Sequence, residues 1–125
     1  MKFTLLKMDE PTVATGRIYP KEVMQPALEK FQEQIVAGRA TVYRVHKALS
    51  DFYDLPLSLV IGVAEEIKIE DNLIVAEIRL FPHEEMLYKV GHFSMSGIGK
   101  VSKNEAGNDV VSDYEIRHII EDTQL

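Results

Sequence analysis

Two serines and two glycines interrupt an apolar stretch at residues 91–101 (GHFSMSGIGKV). Glycine weakens a strand unless its backbone must come close to another group. One such group is a reacting carbonyl oxygen, which backbone N–H groups bind in an oxyanion hole. Ser94 or Ser96 beside such donors could then act as a nucleophile if a histidine accepts its proton. The same pattern is typical of a β-bulge or of a barrel corner at which glycine lets the strand bend.

Four histidines are the candidates for a proton acceptor or for metal ligands: His46, His83, His92 and His118. Their spacing does not favour two ligands on one helix face, and the sequence has no HExxH motif. It also has neither the glycine-rich phosphate loop nor the dinucleotide-binding motif. We therefore predict no metal site and no cofactor.

Composition limits the class of protein. The 125 residues, 46% of them hydrophobic and 27% charged, predict one globular domain over residues 1–125. A net charge of -6 disfavours a nucleic-acid-binding surface. The absence of cysteine excludes disulfides, thiol catalysis and thiolate zinc sites. The sequence has no signal peptide and no apolar run long enough to span a bilayer, so we predict no membrane association.

Hydrophobic periodicity predicts one long helix. Apolar residues recur at the spacing of one helical face from Met24 to Ile35. Proline inside a helix removes a hydrogen bond and clashes with the preceding turn. We therefore predict a short turn from Pro20 and a main helix that begins near Pro26 and ends at Gly38.

Six segments have the alternation or the β-branched content of strands. They are Phe3–Lys7, Thr41–His46, Leu57–Ile69, Leu73–Leu80, Phe93–Ser102 and Val110–Ile120. Residues 70–72 and 103–109 are predicted hairpin connections, and residues 84–90 a short helix that Gly91 ends. The order predicts an α+β fold: a mostly antiparallel β-barrel or sheet, with one main helix and one or two short helices packed outside.

Residues 16–23 (GRIYPKEV) resemble the opening of the core of tailed-phage prohead serine proteases, the capsid-maturation enzymes whose fold is similar to that of herpesvirus assemblin. In that family a histidine-bearing strand follows, then a hairpin, a short helix and the strand with the nucleophile. Residues 40–47, 67–78 and 94–101 match the histidine strand, the hairpin and the nucleophile strand in the same order. The likeness extends over roughly residues 14–122 and implies a herpesvirus-protease-like fold.

The resemblance also implies catalytic roles. It makes Ser94 the nucleophile, His46 the general base, and His118 in the last strand the third catalytic residue. In a different register Ser96 is the nucleophile. The backbone groups that the resemblance assigns to the oxyanion hole are those of Met95, Ser96, Gly97 and Gly99.

The implied function is a serine endopeptidase that processes phage capsid and scaffold proteins in the prohead, within the host bacterial cytoplasm. Its partners are those proteins, with a homo-oligomer also possible. Residues 42–44 (VYR) replace the family's Gly-Glu-Leu, Lys47 replaces a proline, and residues 95–96 (MS) replace Ser-Arg. These departures, together with a length that we expect to be almost all protease-like core, favour an alternative: a catalytically inactive protease-fold protein that is a structural or decorating component of a phage particle.

Overall fold

A computed structural model of the chain describes residues 1–13, 15–45, 57–87 and 92–122. In chain order, the elements are β1 (Lys2–Lys7), α1 (Lys21–Val36), β2 (Thr41–Val45), a 3-10 turn (Leu57–Leu59), β3 (Val60–Glu70), β4 (Leu73–Leu80), α2 (Pro82–Leu87), β5 (Phe93–Lys103) and β6 (Asp109–Asp122). The strands form one six-stranded sheet in the order β1-β4-β3-β2-β6-β5. The predicted α+β class is confirmed.

The sheet is mixed and open. All of its neighbouring strands pair antiparallel except β2 and β6, which pair in parallel. Within the described ranges no ladder of hydrogen bonds joins the two edge strands, β1 and β5. They approach each other through side chains instead, with the rings of Phe3 and Phe93 4.1 Å apart between centroids. Of the two predicted alternatives the closed barrel is therefore wrong, because apolar side chains rather than backbone groups fill the space between the edges.

The helix α1 begins earlier than predicted. It starts at Lys21 and contains Pro26, so the prediction that it begins near Pro26 is wrong. The carbonyl of Pro20 accepts hydrogen bonds from the first turn, and the Asp9 carboxylate accepts one from the Lys21 N–H. Met24, which is fully buried, lies before the proline. Burying this residue on the sheet outweighs the hydrogen bond that Pro26 removes.

Two strand boundaries also differ from the predictions. The apolar run predicted as a strand from Leu57 begins as a 3-10 turn, and Leu57 is 81% exposed, so its side chain is not part of the core. The strand β5 continues through both glycines to Lys103. The predicted positions of His46 and Gly91 lie outside the described residues.

Adjacent residues of β2 and β6 point to opposite faces of the sheet and enter two apolar clusters. On one face Val42 and Ile119 join the main core, which the buried side of α1 covers. On the other face Tyr43 and Ile120 form a smaller cluster with Val45, against which Leu59 and Val60 pack. The strand β6 is therefore buried on both faces near its C-terminal end.

Candidate active site

The two serines and His118 lie on one face of the sheet. Ser94 of β5 pairs with Ile120 of β6, and Ser96 pairs with His118. Directly paired residues of antiparallel strands have their side chains on the same face, about 5 Å apart, and diagonal neighbours are about 7–8 Å apart. Ser96 is therefore the direct neighbour of His118, and Ser94 is its diagonal neighbour. This face also carries the smaller apolar cluster.

The hydroxyl of Ser94 is buried without a partner among the described residues. Ser94 is 9% exposed, and its Oγ has almost no accessible surface and no hydrogen bond to any part of the described chain. An unsatisfied buried hydroxyl costs about 1–3 kcal/mol. The buried Ser94 hydroxyl therefore lowers the stability of the fold, and buried polar groups of this kind call for an explanation, such as a functional role.

His46, the predicted general base, lies outside the described residues. The strand β2 ends at Val45, which pairs with Asp122 of β6. Tyr43, two residues earlier, pairs with Ile120 and is therefore level with Ser94 across β6. The β2 residues on the face of Ser94 are thus Tyr43 and Val45, whereas Val42 and Arg44 point to the other face. Whether His46 reaches Ser94 stays a prediction.

Tyr43 is a site residue that the sequence did not single out. Its ring meets the imidazole of His118 in an edge-to-face contact, with centroids 5.1 Å apart and planes 74° apart. Tyr43 is 8% exposed, so this contact is buried. The sequence places Tyr43 in a strand by its residue type, but the parallel register of β2 against β6, which brings it to His118, depends on tertiary structure.

Two cavities of about 430 Å³ each have candidate residues among those that line them. The first lies between β1, the following loop and β5, and Ser94 and Met95 contribute to its wall. The second lies between α1 and β6 and is bordered by His118. Ser94 therefore borders the first cavity although its Oγ has almost no accessible surface.

Gly97 and Gly99 make room for β6. The register of β5 against β6 shifts between Ser96 and Gly97, which marks a β-bulge. A Cβ on Gly97 would lie 2.2 Å from the Glu115 carbonyl oxygen and 2.7 Å from the Tyr114 ring, and one on Gly99 would lie 2.3 Å from the Asp113 carbonyl oxygen. The β-bulge, one of the two interpretations that the sequence allowed for this stretch, is therefore present in the structure. The oxyanion role of backbone groups from Met95 to Gly99 stays a prediction.

Gly97→Ala is expected to lower the free energy of unfolding by about 2–3 kcal/mol, because the new methyl group must displace backbone or the Tyr114 ring. Urea denaturation measures the change. Ser102→Ala, at an exposed position of the same strand, is the control and should change stability by less than about 0.5 kcal/mol. Equal stability of the two variants would show that Gly97 has no packing role.

On the opposite face, Arg44 joins three elements. Its Nε donates to Glu121 Oε1 of β6 at 2.7 Å, and its Nη1 donates to Glu84 Oε2 of α2 at 2.6 Å. The side chains of Glu84 and Glu121 are 19% and 12% exposed. The hydrogen bond to Glu121 is the main cause that raises the pKa of the Arg44 guanidinium, against the lowering effect of burial. This network fixes the end of β2 to β6 and to α2.

The sequence matches no protein-family model and no curated protein. Among solved structures, it is similar to the capsid assembly protease gp21 of bacteriophage T4, with a TM-score of 0.81 and 12% sequence identity, over 98% of this chain and 82% of that one. The chain has the fold of a phage capsid assembly protease. At this identity the likeness concerns the fold alone, and it confirms the predicted prohead-protease-like architecture at that level.

The described residues of this protease-like fold contain no group of three His, Asp or Glu side chains placed to hold a metal ion. Neither helix in those ranges has the length and apolar run needed to cross a membrane.

Proposed function

We propose that the chain is a serine endopeptidase of the prohead type, which processes the capsid and scaffold proteins of a tailed phage inside the immature head. The observation that carries this proposal is the placement of Ser94 and His118 on one face of neighbouring strands, in a fold similar to that of a capsid assembly protease. Within the described residues Ser94 Oγ has no hydrogen-bond partner, so the proposal assigns the base to His46, which lies outside them.

In this proposal, Ser94 Oγ attacks the carbonyl carbon of the scissile peptide bond while His46 accepts the hydroxyl proton. Backbone N–H groups between Met95 and Gly99 stabilise the resulting oxyanion. The C–N bond breaks as His46 returns the proton to the leaving amine, and water then hydrolyses the acyl-enzyme. His118 orients His46 and stabilises its charged form.

A second candidate function is that of a catalytically inactive structural or decorating component of the particle. The burial of Ser94 Oγ favours it, because a substrate carbonyl needs access to the nucleophile. Folds persist while their sites change function, so the protease-like architecture is compatible with both candidates.

A fluorophosphonate probe, which forms a covalent bond with activated serines, separates the two candidates. We expect the purified chain to be labelled on Ser94, as mapped by peptide mass spectrometry, and to cleave the capsid or scaffold protein encoded beside it. Labelling of Ser96 instead would make Ser96, two residues further along β5, the nucleophile. The combination of no labelling, no cleavage and intact chain in mature particles would establish the structural role.

Denatured protein is the control for this labelling. An activated serine requires its folded surroundings, so the probe should not react after unfolding in urea. Equal labelling of folded and unfolded chain would show ordinary surface reactivity and would count against the endopeptidase.

A further inference from the structure

We infer that Tyr43 is the positioning residue for His118: its ring fixes the rotamer of the imidazole on the face that carries Ser94 and Ser96. Tyr43 touches His118 edge to face at 5.1 Å, within the range that aromatic pairs prefer. This role deepens the proposed function, since it concerns a residue of the same site. It also has a readout that does not depend on catalysis.

Tyr43 is a rigid partner for this contact. It is 8% exposed and belongs to the smaller apolar cluster with Val45 and Ile120, against which Leu59 and Val60 pack. Side chains packed in this way stay in one rotamer on average. The ring of Tyr43 therefore presents a fixed surface to the imidazole, whereas a flexible neighbour would move with it.

The strand itself sets the face that His118 occupies, because His118 alternates along β6 with Ile119, which enters the main core. The rotamer of His118 decides where on that face its ring lies. The buried ring of Tyr43, in edge-to-face contact with the imidazole, restricts that rotamer.

The test compares Tyr43→Leu with Tyr43→Phe. The leucine variant removes the ring, and the phenylalanine variant keeps it. In nuclear magnetic resonance spectra, assigned with His118→Gln, we expect the His118 ring protons of the wild type and of Tyr43→Phe to share the same ring-current displacement and a single χ1 rotamer. In Tyr43→Leu the displacement should vanish and the rotamers should average. Unchanged His118 signals in Tyr43→Leu would overturn the role.

Where cleavage can be measured, kcat should fall about fivefold to tenfold in Tyr43→Leu with KM unchanged, which corresponds to the worth of one aromatic pair, and Tyr43→Phe should restore it. A rise in KM alone would contradict a positioning role. Failure of the wild type to cleave any substrate would overturn the proposed function but leave the resonance test intact.

If Tyr43→Leu does not fold, the wild type alone decides the question. Nuclear Overhauser effects between the Tyr43 and His118 rings, with one His118 rotamer, support the positioning role. Rotamer averaging of His118 in the intact protein refutes it.

Discussion

Arg44→Met is expected to lower the free energy of unfolding by about 2 kcal/mol. The substitution leaves Glu84 and Glu121 close together, mostly buried and without their shared cation. Removing one partner of a buried ion pair costs about 3–5 kcal/mol. Arg44 itself is 33% exposed, so solvent screens part of this interaction. We therefore expect a loss of about 2 kcal/mol, below the range for a fully buried pair. Urea denaturation at pH 7 measures the loss.

Arg79→Met is the matched control, because Arg79 and Glu65 form an exposed pair at 3.7 Å and its loss should cost less than about 0.5 kcal/mol. An equal loss in the two variants would mean that the ion pairs of Arg44 contribute no more to stability than an exposed surface pair.

The elements of this fold are largely predictable because local patterns decide them. The hairpin of β3 and β4 follows from alternation on both sides of Asp71, whose positive φ of 53° suits a tight turn. The start of α1 was not predictable, because the cost of Pro26 is local while the gain from burying Met24 is tertiary. Whether the sheet is open or closed was also not predictable from local patterns. It depends on whether the edge strands β1 and β5 meet through backbone hydrogen bonds or through side chains.

The candidate site is less predictable than the fold. Residue types and a family resemblance pointed to Ser94, Ser96 and His118, and the β5–β6 register now places them on one face. Tyr43 became a candidate only through the parallel pairing of β2 and β6, which joins residues 77 positions apart in the chain. Alternation along a strand shows which residues share a face of that strand. It does not show which face of the neighbouring strand they join.

Both faces of β6 contribute to the candidate site. The strand β6 carries His118 and Ile120 towards Ser94, while Glu121 on the other face binds Arg44. The register that holds the candidate residues together is thus fixed by groups that take no part in the proposed chemistry. Arg44→Met should therefore lower activity through stability, whereas a change at Ser94 should act on chemistry alone.

Ser94→Ala is expected to reduce kcat for cleavage of the cognate capsid or scaffold protein by about 10⁴-fold or more, because the nucleophile and its base act as one unit. Its stability should be equal to or greater than that of the wild type. The Oγ that it removes is buried and makes no hydrogen bond within the described chain, so no partner is left unsatisfied. Cleavage rates and urea denaturation of the same preparation measure both effects.

Ser96→Ala is the matched control, since Ser96 is also buried, at 3% exposure, on the same strand and the same face. It should keep most of the activity if Ser94 is the nucleophile. The reverse result, with activity lost in Ser96→Ala and kept in Ser94→Ala, would assign the nucleophile to the serine directly opposite His118. Full activity in both variants would exclude both Ser94 and Ser96 as the nucleophile.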